Sequence, residues 1–72
     1  NILKEKIEFE IIQLPEKSRE VFKAVVLENL TYKQVAERYH ISVNTVKTHY
    51  SNALRQLRRN LGKIVAFLLL FS

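Results

Sequence analysis

Apolar residues recur along this chain at helical spacing, and no segment alternates in the manner of a half-buried strand. The first segment, residues 3–12, carries Leu3, Ile7 and Ile11 on one side with Glu and Lys opposite, which predicts an amphipathic helix. Leu14-Pro15 interrupts it. Proline suits a first helical turn, where its missing N–H would be unpaired anyway, and Glu16 complements the positive helix end. A second helix is therefore expected over residues 15–29, burying Phe22, Val25 and Val26 with help from Val21 and Leu30.

Thr31 followed by Gln34 has the form of a capping box, and a short third helix over residues 32–39 would turn Val35, Ala36 and Tyr39 inward. His40-Ile41 breaks the pattern, and Ser42 is a good N-cap for a fourth helix over residues 43–61, roughly 28 Å long at 1.5 Å per residue. Its inward stripe is Val46, Tyr50, Ala53, Leu54 and Leu57. The fold class that follows is all-α: a small domain of four helices with a helix-turn-helix, plus a short apolar C-terminal helix or tail. Alanine at the crossing and a three- or four-residue turn before the long helix fit that motif. The turn position often held by glycine is His40, a residue type that tolerates positive φ better than most. It serves either as a helix C-cap or as a DNA contact.

Around the fourth helix from its apolar stripe, Asn44, Lys47, Thr48, Ser51 and Arg55 share one face by i, i+3 and i+4 spacing. The usual mixture of Glu and Lys is missing there. Lys donates to the acceptor edge of guanine, Thr and Ser pair with several base edges or touch a thymine methyl, and Asn reads adenine or holds a phosphate. Lys47, Thr48 and Ser51 are thus the base-reading candidates. Lys33, Ser42, Asn44, Thr45 and Arg55, with the free N–H groups at two helix starts, are the candidates for phosphate contact and positioning. The alternative is an ordinary solvated helix face. His49, beside Tyr50, is expected to pack against the first two helices.

Charge sharpens this picture. The net charge of the 72 residues is +5. Before Thr31, Lys4, Lys6, Lys17, Arg19 and Lys23 are offset by six glutamates, whereas from Thr31 onward Lys33, Arg38, Lys47, Arg55, Arg58, Arg59 and Lys63 face only Glu37. Such asymmetry suits a polyanionic partner at one end of the domain. The length allows one domain with most of its apolar residues committed to folding, leaving little room for an enzyme. His40 and His49 have no acid placed to orient either, and there is neither a glycine-rich phosphate loop nor zinc-ligand spacing, so neither a cofactor nor a metal is expected. Cysteine is absent, which excludes disulfides and fits a reducing cytoplasm. Methionine is absent too, and a chain opening on Asn1 is expected to be an excised fragment.

Three stretches, "LPEKSREVF" at 14–22, "NLTYKQVAERYHIS" at 29–42 and "NTVKTHYSNALRQLRRNL" at 44–61, together resemble the C-terminal DNA-binding domain, region 4, of the extracytoplasmic-function sigma factors. The resemblance covers about residues 3–61. It implies a bacterial transcription-initiation subunit that reads the promoter element near −35 while attached to RNA polymerase core through its flap region, under control in some members by an anti-sigma factor. The half of such a protein that melts the element near −10 would lie before Asn1. Lys47, Thr48 and Ser51 match positions used by that family. Arg58 and Arg59 either meet phosphates or lie beyond the duplex, where they keep the surface soluble or touch polymerase. "TVKTHYSNALRQL" also looks like the DNA-binding domain of LuxR-type response regulators, and a sigma-like module that binds protein without reading DNA is a third reading. The "LP" before the second helix and the basic "RRNL" favour the sigma reading over the LuxR one.

The expected division is a DNA-binding domain over residues 1–61 and an apolar tail over 62–72. Residues 64–71 form an unbroken apolar run, too short for a bilayer span of about 20 residues and without the basic flank of a signal peptide. Each such side chain gains roughly 1.5–3 kcal/mol on full burial, so the run is expected to pack on the first two helices or on a partner. In an isolated fragment it would join two copies as a homodimer.

Overall fold

The computed structural model describes residues 2–62 and contains four helices: α1 (Ile2–Ile12), α2 (Glu16–Val26), α3 (Tyr32–Tyr39) and α4 (Val43–Leu61). Among the described residues there is no strand. α4 is the spine against which α1, α2 and α3 all pack, while α2 also touches α3.

Local sequence explains the helix limits. At the start of α3 the Thr31 hydroxyl accepts the Gln34 N–H at 3.1 Å, and the Gln34 side chain accepts the Thr31 N–H at 2.8 Å, completing the capping box. At the start of α4 the Ser42 hydroxyl accepts the Thr45 N–H at 3.0 Å. Between them His40 takes the left-handed conformation, φ 56° and ψ 46°, and the Ile41 N–H returns to the Ala36 carbonyl at 3.0 Å. This is the long bond of a Schellman motif, completed by Ile41 packing on the cluster that contains Ala36. The helix-turn-helix turn is therefore built with histidine where glycine is commonest.

α2 differs from expectation. It stops at Val26 instead of reaching residue 29, because Asn29 takes a left-handed φ of 56° and the Leu30 N–H turns back to the Ala24 carbonyl at 3.1 Å. Its buried stripe is Ser18, Val21, Phe22 and Ala24, with Val25 and Val26 only half-buried at the margin. The arc is broad because α2 is held between two helices. Val21 and Ala24 join Val35, Ala36 and Val46 in one cluster, while Phe22 joins Leu14, Ala53 and Leu57 in the other. Tyr50 packs on both clusters, its ring 6.2 Å from that of Phe22 and 5.9 Å from that of Tyr32.

α1 is the least buried helix. Ile7 and Ile11 are half-buried, but Ile2, Phe9 and Ile12 are exposed. The inward side chain expected of Leu3 lies outside the described residues, as does the run 63–72. Polar bonds to α4 anchor α1: Asn60 donates to the Glu10 carboxylate at 2.9 Å and Gln56 to the Gln13 carbonyl at 3.3 Å. Arg19 of α2 donates to the Ile12 carbonyl at 3.3 Å, satisfying an orphan acceptor at the helix end. α4 ends at Leu61, and Gly62 follows at φ 90° with its N–H on the Arg58 carbonyl at 2.9 Å.

Candidate nucleic-acid interface

Val46, Ala53 and Leu57 are buried on the inner side of α4, which turns Asn44, Lys47, Thr48, Ser51 and Arg55 into solvent. All five are exposed and none is acidic. The result is one polar strip running over about three turns of the second helix of a helix-turn-helix. Lys47 makes no ion pair among the described residues, so its ammonium is available to a ligand.

The hydrogen bonds decide what each side chain can offer. The Thr48 hydroxyl donates to the Asn44 carbonyl at 3.1 Å, so outward it presents oxygen lone pairs and its methyl group. That combination suits an amino group or a thymine methyl and does not suit a base acceptor. The Ser42 and Thr45 hydroxyls lie 2.8 Å apart, with one donating to the other, so a single O–H of the pair remains to donate to an outside oxygen. Ser42 is exposed and Thr45 half-buried at the start of α4, where the helix dipole favours an anion. Lys33 is exposed in the first turn of α3, and it too makes no ion pair among the described residues. Arg55 rests on the Asn52 side chain at 3.2 Å, a neutral contact that aims the guanidinium while leaving its charge uncompensated.

Arg38 behaves differently. Glu28 accepts from it through both carboxylate oxygens at 2.8 and 3.0 Å, and this hydrogen bond raises the arginine pKa further above its ordinary value. Its charge is committed to closing α3 against the end of α2. His40 is exposed at the turn, whereas His49 is half-buried beside the first turn of α2. Arg58 and Arg59 are exposed in the last turn of α4, where they complement the negative helix end.

One feature of the surface escapes a reading of single helices. The first turn of α2, with Pro15, Glu16, Lys17 and Ser18, meets the flank of α4 carrying Asn52, Arg55 and Arg59 across an open groove of about 570 Å³. Ser18 is 4 % exposed, and its hydroxyl has no hydrogen-bond partner among the described residues. Free N–H groups at the start of α2, with Lys17, Arg55 and Arg59 against the single carboxylate of Glu16, make this groove a net cationic extension of the α4 strip. The apposition of this edge of α4 to α2 joins residues from two helices, which no single-helix period encodes.

Among the described residues no three His, Asp or Glu side chains gather in a way that could hold a metal ion, and no helix is long and apolar enough to cross a membrane. No curated protein and no solved structure matches the chain. The family model described as "Sigma-70, region 4" matches residues 4–57, a span that runs from α1 through the buried Leu57 of α4 and includes α2, α3, the turn and most of α4. By that match, over most of its length, the chain belongs to the sigma-70 region 4 family.

Proposed function

We propose that this domain binds promoter DNA at the −35 element as region 4 of a sigma factor of the extracytoplasmic-function type, with α4 in the major groove. The observation that carries the reading is the acid-free exposed strip on α4, Asn44, Lys47, Thr48, Ser51 and Arg55, backed by the buried Val46, Ala53 and Leu57. A helix presented in this way fits a major groove, and its residue types match the hydrogen-bonding code found there. Lys47 donates to a guanine, Thr48 accepts from an adenine or cytosine amino group or covers a thymine methyl, and Ser51 reads the neighbouring edge. Lys33, Ser42, Asn44, Thr45 and Arg55 hold phosphates on either side, and the α2–α4 groove receives a further stretch of backbone. RNA polymerase core, through its flap, is the second partner in this reading, an anti-sigma factor is a third, and the cytoplasm is the compartment.

A randomised duplex library, selected at low salt and again at higher salt and then sequenced, tests the proposal. A short asymmetric motif is expected. Lys47→Ala should cost about 1–3 kcal/mol on the preferred site and relax one position of the motif. Arg55→Ala should weaken all sequences evenly and lower the slope of log K against log salt by about 0.9 for the phosphate lost. An inverted repeat would replace the proposal with a dimeric LuxR-type domain. Binding indifferent to sequence and to Lys47 would replace it with a protein-binding module.

A further inference from the structure

The start of α2 is closed differently from the starts of α3 and α4. Thr31 and Ser42 place hydroxyls on the free N–H groups of α3 and α4, whereas α2 begins at Pro15 with no side-chain cap. The first helical bond of α2 runs from the Arg19 N–H to the Pro15 carbonyl at 2.8 Å, so the N–H groups of Glu16, Lys17 and Ser18 have no acceptor among the described residues. One side chain of this turn is stranded as well. Ser18 is 4 % exposed, and its hydroxyl neither donates nor accepts among the described residues, although a hydroxyl withdrawn this far from water ordinarily has a partner. No side-chain oxygen or nitrogen of the described residues is sealed off from solvent unpaired, so the Ser18 oxygen keeps an opening, and the space that Ser18 lines is the α2–α4 groove.

We propose that this groove is an oxyanion site holding one backbone phosphate of the bound duplex, with the Ser18 hydroxyl and the free N–H groups of α2 as donors and Lys17, Arg55 and Arg59 as the neutralising charges. The inference rests on the DNA-binding reading of α4 and adds to it a contact from a helix outside the helix-turn-helix. A phosphate suits this donor set because its several oxygens accept from the fixed N–H and O–H groups while the planar guanidinium groups take the others. Glu16 also lines the groove, and against it stand three cations, none of them in an ion pair among the described residues. Its carboxylate is drawn to the helix start as a phosphate would be, yet it accepts none of the N–H groups there. His49 and Gln56 complete the lining, and the Gln56 amide is spent on the Gln13 carbonyl at 3.3 Å. Arg55 stands both on the α4 strip and in the groove wall, so a strand running beside the strip passes the mouth of the groove.

Inorganic phosphate, titrated into the isotope-labelled 72-residue chain against chloride at equal ionic strength and fixed pH, reads the site by NMR. The Lys17 and Ser18 amide signals should shift and saturate with phosphate and not with chloride. Ser18→Ala should weaken this binding about tenfold without loss of thermal stability, since the hydroxyl holds nothing within the fold. Glu16→Gln should tighten it about two- to fivefold. Neutral methylphosphonate linkages, placed one at a time in a duplex that the domain selects, then identify the source of the phosphate. Neutralising one linkage should weaken the parent chain about tenfold and Ser18→Ala much less, the non-additivity of groups in direct contact. The proposal is overturned if the two amides follow ionic strength alone or if Ser18→Ala leaves phosphate binding unchanged. It is also overturned if every linkage matters equally to Ser18→Ala and to the parent, since the site would then take a free anion. Failure of the α4 reading shows elsewhere, as the loss of a sequence preference that depends on Lys47.

Discussion

His40→Gly isolates the energetic cost of the helix-turn-helix turn. His40 sits at φ 56° and ψ 46°, is exposed, and its side chain makes no hydrogen bond among the described residues, so the substitution removes no visible contact. A residue with a Cβ loses roughly 1–2 kcal/mol in the left-handed region. Glycine recovers that, but its freer unfolded chain offsets about 0.4–1 kcal/mol of the gain. The net expectation is a stabilisation of about 0.5–1 kcal/mol. For a domain this small, with a urea m-value near 1 kcal/mol/M, the unfolding midpoint should rise by roughly 0.5–1 M at unchanged slope. The melting temperature should rise by roughly 2–8 °C. Urea titration followed by circular dichroism at 222 nm measures the first, and a thermal scan the second. A fall in the midpoint would refute the reasoning, because it would mean that the imidazole holds the turn through an interaction absent from this geometry. DNA affinity measured on the same variant separates the two roles of His40: it should not change if the residue is only a cap.

Phe22→Ala empties the centre of the second core cluster, where Phe22 is 0 % exposed, and should cost about 3–5 kcal/mol. Domains of this size hold roughly 3–9 kcal/mol in all, so the variant should lose much of its helical signal at 25 °C, and a fully helical, cooperatively melting product would contradict the packing described. Tyr50 has a phenol pKa raised above its ordinary 10.0, first by burial and then by Tyr32. The folded state therefore keeps the proton longer than the unfolded state, and stability contributed by this group is intact below pH 10 and falls as pH rises through the folded pKa. Denaturant titrations across that range should show a shallower alkaline loss for Tyr50→Phe than for the parent chain; equal losses would refute the assignment to Tyr50.

Local signals were enough where a helix boundary depends on one or two neighbouring side chains. Thr31 with Gln34, and Ser42 with the free N–H groups after it, mark the starts of α3 and α4 because a cap bond reaches only three residues along the chain. The polar face of α4 was legible for a related reason: a 3.6-residue period that buries Val46, Ala53 and Leu57 leaves Asn44, Lys47, Thr48, Ser51 and Arg55 outside. The end of α2 was misjudged although Asn29 is a residue type that enters the left-handed region readily. Its apolar pattern continues past Val26, and only the return of the Leu30 N–H to Ala24 shows that the helix has closed.

Tertiary structure alone decided how wide an arc of each helix is covered and which charges remain available. α2 buries Val21 and Ala24 against one cluster and Phe22 against the other because it lies between α3 and α4, an arrangement that no helical period encodes. Arg38 and Lys33 look alike as basic residues of α3, yet Glu28, ten residues before Arg38, takes up the charge of that arginine, while Lys33 makes no ion pair among the described residues. The groove between α2 and α4 likewise joins Ser18 to Arg55 and Arg59, and the open face of α1 follows from α4 covering Ile11 but not Phe9. The physical reason is range. Periodicity and capping act within one helix, so the sequence by itself determines which side faces in, while the pairing of charges and the completeness of burial depend on segments that only folding brings together.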